Sequence, residues 1–217
     1  MASNLWDERY GVAGFAYGDQ PNDWLKSQAD RLLVAEKRVL SLAEGEGRNA
    51  AFLASLGLSV LAVDQSAVGL AKARGLAKER GVHFETVEAD LAEFDLGVER
   101  WDGIVSIWCH LPSADRIKLH TRLFRALKPG GWLILEAYAP SQIALGTGGP
   151  KDPDFLATEL QLRQELMGLE WYESQTVRRQ VNEGALHAGQ SDVVQLVGRK
   201  AGGSVGDAYE SFRCDCG

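Results

Sequence analysis

The sequence predicts an α/β fold: a doubly wound, mostly parallel sheet with helices on both faces and an antiparallel strand at its C-terminal edge. Three observations predict it. Short apolar runs alternate with stretches of helical periodicity from Arg38 to Tyr138. A glycine-bearing turn, Glu44-Gly45-Glu46-Gly47-Arg48-Asn49, follows directly on the first apolar run. Beyond about residue 150 the pattern changes, and two strand patterns are joined by Asn182-Glu183-Gly184.

Each element follows from local chemistry. Arg38 to Ala43 reads as a buried strand, and the helical stretch Asn49 to Leu56 is ended by Gly57. A second strand covers Ser59 to Val63. Ser66 supplies an N-cap for a helix that runs to about Arg80 and stops at Gly81. His83 to Val87 and Trp101 to Trp108 are the third and fourth strands. Ser113 then caps a helix through Leu127, with Ile117, Leu119, Leu123, Phe124 and Leu127 at helical spacing. The fifth strand, Gly131 to Tyr138, contains Trp132-Leu133-Ile134-Leu135, apolar throughout as a strand covered on both faces requires. Right-handed crossovers between such strands give a parallel sheet. A helix from about Asp154 to Met167 and strands at Leu169 to Val181 and Ser191 to Arg199 complete the pattern.

A chain of 217 residues supports one full core. The expected organisation is a single domain over residues 1–200, with residues 1–30 as a cap or lid over the sheet, and a Gly-rich flexible tail over 201–217. A charge of -7 argues against a phosphate-backbone footprint, so no nucleic-acid partner is expected. No apolar run is long enough to span a bilayer, and the first residues lack the basic and apolar regions of a signal peptide. The expectation is a cytoplasmic protein with a small-molecule acceptor, no membrane association and no evident obligate protein partner. Cys109, Cys214 and Cys216 form no disulfide framework, and two tail thiolates make only half of a tetrahedral site, so no metal is expected.

Open α/β sheets bind ligands at the carboxyl ends of their strands, which directs attention to the turn after the first strand. Gly45 and Gly47 let backbone approach a ligand, and Gly45 to Ala50 satisfies a loose G-x-G-x-x-[GA] pattern. Asp64, at the end of the second strand, is placed to hold a ribose diol, with Gln65 beside it. This much fits NAD as well as S-adenosylmethionine. Ala89-Asp90-Leu91 adds a second acid after the third strand, positioned to accept from an adenine amino group. Glu44 and Glu46 flank the turn and suit a ligand carrying an ammonium and a sulfonium better than a pyrophosphate. Arg48, which could serve a phosphate or the methionine carboxylate, and Asn49 close the turn, and Ile107 and Trp108 at the end of the fourth strand complete the candidate cofactor residues.

Leu127-Lys128-Pro129-Gly130-Gly131, leading into the fifth strand, resembles the class I methyltransferase superfamily and its Rossmann-like fold. The resemblance narrows through Trp6-Asp7-Glu8-Arg9-Tyr10, Phe15-x-Tyr17-Gly18, Pro21-Asn22, Gly47 to Ala50, His110-Leu111-Pro112, Leu135 to Tyr138, Gly146 to Pro150 and Glu183-Gly184-x-x-His187-x-Gly189-x-Ser191. These segments are similar to the tellurite-resistance and thiopurine methyltransferase branch. The resemblance implies S-adenosylmethionine as cofactor, no metal, and in-line methyl transfer to a small soft acceptor, a thiol or a chalcogen oxyanion. The chain departs from that family at Ser41 and Ala43, where an acid and a glycine are usual, and Glu44 is the candidate to take over the acid's work. An NAD(P)-dependent oxidoreductase and a non-catalytic S-adenosylmethionine-binding regulator are the alternatives.

Tyr17, His110, Tyr138, Arg179 and His187 are the candidates to line an acceptor pocket. Of these, His110, Tyr17, Arg179 and His187 are the expected catalytic residues. His110 follows the fourth strand, His187 lies in a Gly-flanked segment, and Tyr17 belongs to the N-terminal lid. Arg178 and Arg179 alternate faces along a strand, so only one can face a pocket, and Arg179 is the choice. Cys109 reads as a buried thiol and His120 as a packing or solvated side chain.

Overall fold

The computed structural model describes residues 2–33, 37–184 and 186–202. β1 (Arg38–Leu42), β2 (Ser59–Asp64), β3 (Glu85–Glu88), β4 (Trp101–Ile107), β5 (Leu127–Tyr138), β6 (Leu169–Glu183) and β7 (His187–Lys200) form one sheet in the order β3-β2-β1-β4-β5-β7-β6. β1 to β5 run parallel. β7 is antiparallel to both of its neighbours, so the reversed strand lies one place in from the edge and β6 is the edge itself. The chain reverses its winding between β1 and β4, and in such a sheet the crevice at that reversal is where ligands bind.

Alternation along the strands builds two apolar layers. On β1, Val39 packs on one side with Leu25, Leu53 and Ile134, while Leu40 and Leu42 pack on the other with Leu119, Leu123 and Leu133. α3 (Arg48–Ser55) and α4 (Ala67–Glu79) cover the first side, and α5 (Ser113–Ala126) covers the second. α4 starts where the sequence places its cap, with the Ser66 hydroxyl accepting from the Gly69 N–H. α1 (Ala2–Tyr10) and α2 (Asp23–Gln28) belong to the N-terminal segment.

Three expectations shift. β5 begins at Leu127, because Leu127 still pairs with Trp101 across an irregularity before Gly103 meets Trp132. The helix expected from Asp154 to Met167 divides into a 3-10 turn at Pro153–Phe155 and α6 (Glu159–Glu165). Thr158 and Gln161 form a capping box there, which starts a new helix rather than continuing an old one. His120 is neither solvated nor merely packed: its Nδ1 lies 2.7 Å from Glu165 Oε2, and Arg116 grips the same carboxylate. Cys214 and Cys216 lie outside the described residues, as does the tail beyond Gly202. Among the described residues no helix is long and apolar enough to cross a membrane, and no cluster of side chains could hold a metal ion.

Candidate active site

The turn after β1 is built by its own acids. Ala43 has φ 49°, the left-handed region, which costs an alanine roughly 1–2 kcal/mol; this is a position where the resembled family carries glycine. Glu44 then folds back over Ser41 and accepts its hydroxyl hydrogen on Oε2. Glu44 Oε1 accepts from the backbone N–H groups of Asn49 and Ala50, at 3.0 and 2.9 Å. α3 has no side-chain cap at Gly47, so Glu44 supplies the acceptor that its orphan amides need. Burial raises the Glu44 carboxyl to about 7, against the pull of the Ser41 and backbone hydrogen bonds.

The structure corrects the reading of the glycines. A Cβ on Gly45 would lie 2.5 Å from Tyr10 Oη, and one on Gly47 would lie 2.7 Å from Ala73 Cα. Both positions admit close-packed protein, and neither lines the cavity. Glu46 is also taken up by the protein: Oε2 accepts from the Ala16 N–H at 2.7 Å, and Oε1 pairs with Lys72 at 2.9 Å. Lys72 in turn donates to the carbonyls of Val12 and Gly14, so the N-terminal segment is tied down over the turn.

A cavity of about 680 Å³ runs along the carboxyl ends of the strands. Asp64, Gln65, Ala89, Asp90 and Leu91 line it toward β2 and β3, and Glu44, Glu46, Arg48 and Asn49 line its middle. Asp64 holds the turn in place, accepting from the Gly45 N–H on one oxygen and the Ser66 N–H on the other, both at 2.8 Å. Burial pushes its pKa up. Asp90 is exposed, and its Oδ1 accepts from the Ala92 N–H.

Ile107, Trp108, His110 and His187 line the cavity toward β4 and the β6–β7 hairpin, with Tyr17 from the N-terminal segment. Trp108 has φ 55°, unusual for a bulky residue, and its indole stacks on Tyr138 at 4.4 Å. Tyr138 itself is fully buried behind this wall, under Gly148 and Gly149, and does not reach the cavity. His110 Nε2 accepts from the Tyr138 N–H at 3.1 Å, so that lone pair is already engaged. Burial lowers the His110 pKa to about 4. Burial and the neighbouring His110 lower His187 to about 3, and Tyr17 packs on its ring at 4.5 Å. Both imidazoles are therefore neutral at ordinary pH. Cys109 is pushed up to about 12 by burial and is no nucleophile.

Arg179 is a correction. It points inward, yet its guanidinium is held bidentately by Glu136, at 2.8 and 2.6 Å, and it does not line the cavity. Arg178, on the other face, pairs with Asp192. Glu136 also accepts from Gln195 at 2.7 Å and from Asn22 at 2.6 Å. Glu183 accepts from Asn22 at 2.8 Å, from Trp108 Nε1 at 2.6 Å, and from Arg48. Two carboxylates and two arginines thus form a buried, hydrogen-bonded network that joins the N-terminal segment, the first turn, β4, β5 and the hairpin. Burial raises Glu183, but Arg48, the Trp108 N–H and Arg179 outweigh it and hold the carboxyl below the ordinary range.

Against this geometry, residues 39–131 match a methyltransferase domain family. Those residues run from β1 into β5 and make up less than half of the chain. The seven-stranded sheet with its reversed C-terminal strand is also the fold of solved methyltransferases. The chain is 32% identical over 120 residues to the demethylmenaquinone methyltransferase of Thermus thermophilus, and spans about half of that protein, 54% of each chain. A solved structure concerned with conversion of a disulfide bond into a thioacetal group during echinomycin biosynthesis is similar in fold, with TM-score 0.75, 18% identity and 94% of each chain covered. A SAM-dependent methyltransferase of Methanosarcina mazei gives TM-score 0.65 at 17% identity, covering 79% of this chain and 96% of its own.

The cavity carries acidic residues that fit S-adenosylmethionine. Asp64 and Asp90 stand at successive strand ends along a cavity of about 680 Å³, within the range of small-molecule sites. Sequence reasoning missed Asn22 and Glu136 as parts of the site, and Arg9 and Tyr10 as lining residues. The resembled segments contained all four, but nothing in sequence showed that Asn22 meets partners 114 and 161 residues away.

Proposed function

We propose that this protein transfers a methyl group from S-adenosylmethionine to a small soft acceptor, by in-line displacement, within the tellurite-resistance and thiopurine methyltransferase branch. One observation carries the reading: the cavity is continuous from the Asp90 and Asp64 strand ends to an aromatic, uncharged wall of Trp108, His110, His187 and Tyr17. When bound, the cofactor supplies an electrophilic methyl group on a sulfonium. In this reading Asp64 takes the ribose hydroxyls and Asp90 the adenine amino group. Glu44 keeps its carboxylate over Ser41, where the family's acid would be rooted.

Neither histidine at the acceptor end is a ready base. His110 has its lone pair engaged, and burial keeps His187 from taking up a proton until strongly acid pH. A thiol, with a pKa of about 8.5 in water, already supplies a few per cent of thiolate at pH 7 and needs alignment more than a dedicated base. The solved structure concerned with a disulfide and a thioacetal supports sulfur as the reacting atom. The Thermus relative's name gives a different acceptor class, so a hydroquinone belongs in the test.

Release of S-adenosylhomocysteine from the purified chain, over a panel of thiols, selenite, tellurite, amines and a naphthohydroquinone, decides the matter. Turnover of a thiol or chalcogen oxyanion above the rest is expected. Preferential turnover of the hydroquinone, or of none despite tight cofactor binding, would sink the soft-acceptor reading.

A further inference from the structure

We infer that Arg9 binds the α-carboxylate at the amino-acid end of the cofactor, an inference that rests on the cofactor reading above. Trp6, Arg9 and Tyr10 share one face of α1, three and four residues apart, and all three line the cavity. The helix is fixed there from both sides. Asp7 Oδ1 accepts from the Ser66 hydroxyl at the start of α4, at 2.5 Å, and the Tyr10 ring fills the space left by Gly45 and Gly69.

Among the described residues three cations line the cavity: Arg9, Arg48 and Lys151. Arg48 is neutralised by Glu183 and gives a further N–H to the Gln20 carbonyl. Lys151 is exposed, on the loop that follows Gly148 and Gly149. Arg9 is half-buried, and among the described residues no carboxylate forms an ion pair with it. Its guanidinium lies 4.8 Å over the Trp6 ring and donates to Tyr17 Oη at 3.0 Å. A guanidinium carries five N–H donors, and a planar fork of this kind matches a carboxylate bidentately.

Position selects which carboxylate. A ligand with its adenosine at the Asp64 and Asp90 strand ends extends toward β1 and β4, and there α1 covers the cavity. The nearby acids already have partners: Glu44 and Asp64 hold backbone amides, and Glu46 holds Lys72. Among the described residues, Arg9 is the one group at that end with unused charge to offer.

S-Adenosylhomocysteine and 5′-methylthioadenosine share the adenosine and the sulfur, and only the first has the amino-acid carboxylate. Both are titrated by calorimetry into the wild-type chain, R9Q and R9K. R9Q is expected to bind S-adenosylhomocysteine roughly 10–100-fold more weakly, as loss of a charged hydrogen bond implies. Its affinity for 5′-methylthioadenosine stays within about twofold of wild type by the same argument. R9K recovers part of the loss. Unchanged S-adenosylhomocysteine affinity in R9Q overturns the assignment, including the case in which Arg9 holds a carboxylate of the acceptor. Equal loss of both compounds also overturns it, because Arg9 would then only hold α1 in place. A wild-type chain that binds neither compound removes the cofactor reading and this inference together.

Discussion

Glu44 in the turn after β1 and Glu183 in the β6–β7 hairpin are the same residue type at the same depth, 6% and 5% exposed, yet their acidities move in opposite directions. Glu44 is hydrogen-bonded only by neutral donors, two backbone amides and a hydroxyl, and burial wins. Glu183 has Arg48 and Arg179 within ion-pair distance, and the charges win. Burial alone does not set a carboxylate's state; what decides is whether its donors carry charge. The turn is therefore able to exchange a proton near neutrality, whereas the hairpin is locked in its ionised form.

Substitution separates the two sites. E183Q leaves Arg48 buried without its carboxylate, and a loss of about 3–5 kcal/mol in chemical denaturation is expected. A loss below about 1 kcal/mol would show that the network contributes little to stability. The pH profile gives the next effect. Glu44 ionises in the unfolded chain near its ordinary value and in the folded chain at about 7. Between those values only the folded state keeps the proton, so Glu44's contribution to stability falls as pH rises and is flat above about 7. Measured as wild type minus E44Q from pH 4.5 to 8, the decline is expected to be on the order of 3 kcal/mol. Glu183 has the opposite sign: its contribution is present above its unfolded pKa and is lost on acidification. A Glu44 difference that rises with pH would mean that the turn also contains a compensating positive charge.

The smallest effect concerns Ala43. Glycine removes the left-handed strain, and A43G is expected to raise the melting temperature by about 2–4 °C, the shift that ~1 kcal/mol gives a domain of this size. A fall instead would place the benefit of alanine in the unfolded chain.

The sheet was legible because β1 to β5 write their burial into local patterns: Val39 and Leu40 face opposite layers, and Ser66 and Gly81 bracket α4. The positions of Asp64 and Asp90 at strand ends followed from the same periodicity. Arg179 was legible in direction, since alternation turned it inward, but not in partner. Its charge meets Glu183 four residues on in the same strand, and meets Glu136 across 43 residues and the intervening β7, whose register depends on turn geometry that composition does not specify. The glycines mislead for a related reason. A missing Cβ signals close approach without saying of what, and at Gly45 and Gly47 the approaching groups are Tyr10 and α4.

The reversed strand has a consequence for biosynthesis. β7 sits between β5 and β6, so while a ribosome is still making residues 187–200 the edge of β5 stays open and β6 has no partner beside it. Asn22, made early, waits for Glu183 before the network that anchors the N-terminal segment can close. The nascent chain thus carries an exposed apolar strand edge until nearly the whole domain has emerged, the stage at which chaperone capture or aggregation competes with folding.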